Sequence, residues 1–166
     1  MQSIGDNAFE GALLSRVSLP SSLQSIGDNA FRCSSLVEVL VSPKNANFRS
    51  VDGVLFSADG KALILYPAGR QEEEYVVPDG VVEIADWAFR GCSSLSSVSI
   101  PAGLQTIGDH AFYGCSSLTS VTLPEGVQTI GAYAFSACSS KLTLYGTPGT
   151  VAETFAAENG LRFEAR

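Results

Sequence analysis

The single histidine, His110, stands five residues before Cys115. A cysteine–histidine pair at such a distance could in principle act as nucleophile and base, provided the base lies within hydrogen-bond reach and the thiol is activated. Cys115 keeps company that argues otherwise. Cys33, Cys92, Cys115 and Cys138 each open the phrase CSSL or its variant CSSK. A residue that returns at one place in every copy of a phrase is a structural rung, and cysteine is among the most buried residue types. The spacing lacks the CxxC pairs of zinc sites. Side chains pointing the same way on neighbouring rungs oppose disulfide geometry, so the expectation is four free, buried thiols. The serines are abundant but occupy the same SS turn in each copy. The glycines mark turns and form no phosphate-cradling motif. No triad can be assembled from these residues, and the sequence implies no catalytic residue, no metal site and no cofactor.

Two further columns could bear on ligands. Asp6, Asp28, Asp86 and Asp109 recur just before an Ala-Phe pair. A file of carboxylates raises the thought of a cation, but aspartate preceding Xaa-Ala-Phe is expected to cap a short helical turn, accepting an N–H two or three residues on. Ala132 breaks the column, which a local cap tolerates. The slot after each aspartate holds Asn7, Asn29, Trp87, His110 and Tyr133. Trp87, His110 and Tyr133, with Tyr113 nearby, thus line up on consecutive copies. Such rings, apolar with polar tips, suit contacts with proteins and offer flat faces to sugars. They could equally stack on one another and simply cover the turns.

The elements that position these columns come from one repeated sentence. Ile84, Ile107 and Ile130 are 23 residues apart, as are Phe89, Phe112 and Phe135. That period signals a right-handed leucine-rich-repeat solenoid of short parallel strands and short helical turns, each unit burying its apolar face on its neighbours. The strand phrase recurs as LSRVSLP, LVEVLVSP, LSSVSIP and LTSVTLP, with apolar residues alternating and proline closing the strand. Its outward positions are Arg16, Ser18, Glu38, Leu40, Ser97, Ser99, Ser120 and Thr122, a second candidate contact surface on the expected concave side. Between Phe31 and Phe89 the step widens to 58 residues. There GVLFS and ALILYP flank Asp59-Gly60, a hairpin signal. Residues 44–74 are accordingly expected to form an inserted hairpin unit within a single domain spanning 1–166. At the other end residues 146–166 read as a cap. LTLYG is a last strand, Thr150 and Glu153 form a capping box, and Asn159-Gly160 ends the helix before a closing strand through Leu161 and Phe163.

Composition sets the outer bounds. The 166 residues, 45% hydrophobic and 16% charged, suit one globular domain. A net charge of −7 with scattered Lys and Arg argues against nucleic acid. No apolar run is long enough to cross a bilayer, and MQSIGDNAFEG has no signal-peptide pattern. The chain opens inside a repeat, so a piece of a longer protein is expected.

The phrase LPxxLxxIGDxAFxxCSSLxxVxLP closely resembles the BspA-like leucine-rich repeats of bacterial surface antigens, over nearly the whole chain and including DGVLFSADGKALILYP and YGTPGTVAETFAAENGLRF. The resemblance implies a secreted or cell-surface bacterial protein whose repeats mediate adhesion to host matrix or cell-surface proteins, with no shared catalytic residues. A structural spacer, or a recognition module attached to an enzyme domain elsewhere, are the rival readings. The oligomeric state stays open.

Overall fold

The computed structural model describes residues 1–166, and the repeat becomes two parallel columns of strands stacked coil on coil. The strands are β1 (Ser3–Ile4), β2 (Arg16–Leu19), β3 (Ser25–Ile26), β4 (Glu38–Val41), β5 (Phe48–Val51), β6 (Val54–Ser57), β7 (Ala62–Leu65) and β8 (Glu74–Val76) in the first half. The second half adds β9 (Glu83–Ile84), β10 (Ser97–Ser99), β11 (Thr106–Ile107), β12 (Ser120–Thr122), β13 (Thr129–Ile130), β14 (Thr143–Gly146), helix α1 (Val151–Glu158) and β15 (Arg162–Ala165). The LxxVxLP phrase builds one column, β8-β10-β12-β14-β15, and the IGD phrase builds the other, β9-β11-β13, every step parallel and in register. Val98 faces Val121 and Ile107 faces Ile130, one repeat on.

Register follows from what each phrase buries. Leu95, Val98, Leu104, Ile107, Ala111, Phe112, Cys115 and Leu118 are all buried. The phenylalanines file through the centre: Phe89 lies 4.7 Å from Phe112 and Phe112 lies 5.0 Å from Phe135, the planes within 8°. Such offset stacking adds to simple area burial. Phe155 of α1 closes the file edge-on at 6.0 Å, and α1 with β15 covers the last coil. The glycine of the IGD phrase is dictated by this closeness. A Cβ on Gly108 would come within 2.5 Å of the Asp86 backbone nitrogen, and Gly131 meets Asp109 the same way.

The cap departs from expectation in its detail. Thr150 makes no side-chain cap; its hydroxyl donates back to the Thr147 carbonyl at 2.7 Å. Glu153 accepts from the Gly149 N–H, one residue before the position a capping box requires.

The inserted unit is a three-stranded meander, one strand more than the single hairpin expected. β5 pairs antiparallel with β6, β6 with β7, and β7 runs parallel to β9. The first turn, Asp52-Gly53, has positive φ at both residues (49° and 78°), the geometry that suits a right-twisted ribbon. Tyr66 then takes the place of a phenylalanine, stacking on Phe89 at 5.2 Å. By strand pairing the meander joins only the IGD column; β4 meets it through single bonds from Val39 N–H to the Gly53 carbonyl and Val41 N–H to the Ser50 hydroxyl. In the other column β2 pairs with β4 alone, and no strand links β4 to β8. The core divides accordingly into a cluster of 28 residues and an N-terminal one of 9, with Leu55 of β6 facing the smaller and Val54 and Phe56 the larger.

Candidate functional site: an aromatic column and the cleft beside it

The turn after each IGD strand places the aspartates and the aromatic slot. These turns are not α-helical, and the aspartates do not cap locally. Asp6 accepts the N–H of Asp28, Asp86 that of Asp109, and Asp109 that of Ala132, at 2.7–2.9 Å. Each carboxylate therefore reaches one repeat on, because the extended turn leaves its N–H groups facing along the stack. The Ala132 N–H donates the last such bond, and the strand-and-helix cap that follows it repeats no IGD turn.

The slot residue after each aspartate is left-handed in every copy: φ is 54° at Asn7 and Asn29, 62° at Trp87, 55° at His110 and 56° at Tyr133. Asparagine tolerates that conformation, whereas bulky side chains rarely adopt it. Histidine shares asparagine's tolerance, but Trp87 and Tyr133 held there are strained, and the stack around them imposes it. The rings do come together. Trp87 and His110 stack at 3.9 Å and 11°, and His110 lies 5.1 Å from Tyr133. Tyr113 sits edge-on to Trp87 at 6.0 Å. Within the column His110 Nδ1 is buried without a hydrogen-bond partner, while Tyr133 at the far end is 62% exposed.

The outward residues of the longer strands do not form one surface. Arg16, Ser18, Glu38 and Leu40 lie on the β2-β4 pair, where Arg16 bonds Glu38 at 2.6 Å across the register. Ser97, Ser99, Ser120 and Thr122 lie on β10 and β12, beyond the break at the meander.

The four cysteines are free, three of them buried as expected and Cys138, in the last coil, only partly so; each thiol donates to a carbonyl one coil back: Cys33 to Phe9, Cys92 to Tyr66, Cys115 to Phe89, Cys138 to Phe112. Cys115 is thus committed to the backbone, not to His110. Burial pushes the Cys33 thiol up from its ordinary pKa, and the adjoining Cys115 thiol together with burial does the same to Cys138. No group of three or more His, Cys, Asp and Glu side chains is placed to hold a metal ion.

Sequence reasoning missed a cleft of about 710 Å³. The meander supplies Tyr66 to the central file but no IGD turn, so one rung of the turn column is missing. The turn at residues 27–34 forms one wall and the turn at 85–91 the other, with Leu55, Ile64 and Leu65 of the meander among the lining residues. Trp87 and Tyr113 border it, joining cleft to column. Arg90 spans the gap to the Asn29 side-chain oxygen at 2.8 Å and lies 4.4 Å over the Trp87 ring. The signal was present in the 58-residue step between Phe31 and Phe89: 35 residues inserted without a GDxAF phrase leave that place empty.

Coil, column and rung together define a leucine-rich-repeat solenoid. A family profile described as BspA type leucine rich repeat region matches six copies over residues 1–58 and 69–154, and the chain belongs to that family. The interval between the two matches falls on the meander's last turn and strand.

Solved structures agree. A leucine-rich repeat protein of Eubacterium ventriosum is 28% identical with a TM-score of 0.83, over 90% of this chain and 40% of that one. A leucine rich cell surface protein of Faecalibacterium prausnitzii is 27% identical with a TM-score of 0.53, over 94% of this chain and 54% of that one. The pneumococcal vaccine antigen PcpA, at 22% identity, shares the fold with a TM-score of 0.67 over 100% of this chain and 60% of that one. The chain thus spans less than two thirds of each of these proteins. No curated protein matches it significantly in sequence. No helix is long and apolar enough to cross a membrane.

Proposed function

We propose that this chain is a non-catalytic, adhesive protein-binding segment of a bacterial secreted or cell-surface protein, engaging host matrix or cell-surface proteins through the Trp87–His110–Tyr133 column. The observation that carries this reading is the left-handed backbone under Trp87 and Tyr133. Asparagine would fill the slot with less strain, as it does in the first two coils, so self-stacking alone gives a weak reason for rings there. Stacked, half-immobilised aromatic residues ending in an exposed tyrosine have the makings of an interface anchor. Family membership among repeat proteins supports an interaction role, and the description of the Faecalibacterium relative as a cell surface protein supports the location. Glycans are the weaker alternative for the same ring faces.

Capture of purified matrix proteins by the immobilised chain tests it. The double substitution Trp87→Ala and Tyr133→Ala is expected to abolish capture while thermal unfolding stays cooperative. Capture that persists undiminished would remove the column from the account. A spacer role has one observation in its favour, the short hydroxyl side chains of Ser97, Ser99, Ser120 and Thr122, and it predicts no capture by either protein.

A further inference from the structure

The turn column is a backbone ladder, and the cleft is a place where that ladder stops and restarts. At complete steps three N–H groups donate to the next coil: Trp87 to Asp109, Phe89 to Ala111 and Gly91 to Tyr113, at 2.7–3.0 Å. At the cleft the equivalent N–H groups of Asn29 and Phe31 find no partner, and no N–H reaches the Asp28 carboxylate. The opposite wall mirrors this. Of the three carbonyls equivalent to the acceptors Asp109, Ala111 and Tyr113, those of Asp86 and Arg90 accept nothing, and only that of Ala88 is used, by the Tyr66 N–H at 2.8 Å. The walls are two rungs apart, about 9.6 Å at ~4.8 Å per strand spacing, which leaves room for one extended chain.

The charge is equally specific. Four carboxylates, Glu10, Asp28, Glu83 and Asp86, line the cleft against two arginines; Arg32 is paired with Glu10, which leaves Arg90, held only by the Asn29 amide oxygen and two ring faces, as the one place for a ligand's carboxylate.

We infer that this cleft binds an extended peptide segment of a partner protein, carrying a single carboxylate for Arg90, which enters as the missing rung. Its carbonyls accept from Asn29 and Phe31, its N–H groups donate to Asp86, Arg90 and the Asp28 carboxylate, and its own carboxylate pairs with Arg90. Main-chain pairing supplies affinity here as it does when a strand is added to an open sheet edge, and the charged side chain supplies selection. The central position is already filled by Tyr66, so the segment needs no large apolar residue. The inference goes beyond the aromatic column: the two share Trp87, which lies under Arg90, whereas Tyr133 lies two coils away.

The probe is acetyl-SIGDNA-amide, the chain's own rung at residues 25–30 stopped before the phenylalanine whose place Tyr66 holds. It is titrated into the 166-residue chain to about 5 mM, the range in which weak peptide affinities are read, with amide chemical shifts recorded. The expected result is saturable shifts at Asn29, Phe31 and Asp86. Asn29→Asp, which keeps a residue tolerant of positive φ and hands Arg90 a carboxylate, is expected to weaken binding at least about tenfold, as is Arg90→Gln. Tyr133→Ala is expected to leave the affinity unchanged, which separates failure here from failure of the aromatic column. Absence of shifts at those three amides, equal binding of a scrambled peptide of the same charge, unchanged binding by both Asn29→Asp and Arg90→Gln, or shifts produced by a chitotriose probe instead of the peptide would each overturn the assignment.

Discussion

Asp109 shows how one residue type can be right in kind and wrong in partner. Sequence identified a backbone-capping carboxylate, and the structure shows the cap reaching the coil above, at Ala132. Periodicity along one chain cannot say whether an N–H three residues away or 23 residues away is nearer; only the stack decides. Asp109→Ala is therefore expected to cost about 0.5–1.5 kcal/mol in urea unfolding, with Asp109→Asn retaining part of the bond. If both substitutions prove silent, the carboxylate is solvated and the interlock is idle. Tyr66 gives the opposite case. Its hydroxyl is buried beside Arg70 and Glu72 without a hydrogen bond of ordinary geometry to either, and burial, then the Glu72 charge, raises its pKa to about 12. Tyr66→Phe should leave stability unchanged or raise it by up to about 1 kcal/mol, since an unsatisfied hydroxyl is removed and the stack on Phe89 kept; a loss larger than that would reveal a bond to the hydroxyl. The thiols set a pH dependence. Cys33 and Cys138 have folded pKa values above the ordinary 9.0, so the unfolded chain ionises first as pH rises. Their stabilisation is complete below about pH 9 and is lost progressively above it. The urea midpoint should fall between pH 9 and 11, and Cys33→Ser with Cys138→Ser should flatten that fall; an unchanged slope would exclude the thiols as its source.

At the scale of elements, the coil was legible because its apolar positions repeat, fully buried in the middle coils and partly so at Phe9, Val17, Ile26 and Ile130. Leu118 is 0% exposed, as the i, i+3, i+5 pattern of its strand requires, and Leu118→Ala should destabilise by about 2–5 kcal/mol through the cavity it opens. A change below about 0.5 kcal/mol would contradict the packing. Gly108→Ala is expected to cost about 1–3 kcal/mol or more despite restoring a better backbone residue, because its Cβ lands on the Asp86 backbone. The meander was legible only in part. Asp59-Gly60 was recognised, yet Asp52-Gly53 carries the same signal seven residues earlier, and FRSV, with one aromatic and one β-branched residue, reads weakly as a strand. The left-handed slot was not legible at all, since asparagine advertises positive φ and tryptophan does not.

Across the whole molecule, the candidate site divides along the same line. Trp87, His110 and Tyr133 were found by period; the cleft was not, because a pattern search reports what recurs and a missing rung recurs nowhere. The eight outward strand residues fell on two separate sheets for the same reason, the meander having interrupted a column that period alone would continue. In a solenoid, stability is carried by contacts between neighbours, so a divided core should open unevenly. Hydrogen exchange is expected to be faster at Leu19, Leu23 and Leu36 than at Ile107, Phe112 and Leu118; uniform protection would show the two clusters to be one cooperative unit.

The interruption between β4 and β8 also governs how the chain responds to tension along its long axis. Ladders share a load over many parallel bonds, but across this seam the long-strand column has only scattered ties, such as Val39 to Gly53 and Gly69 to Leu36. Pulled from its ends, the stack is expected to part there first, with the coils beyond Tyr75 unwinding later, an order that force spectroscopy would read as two separate extension steps.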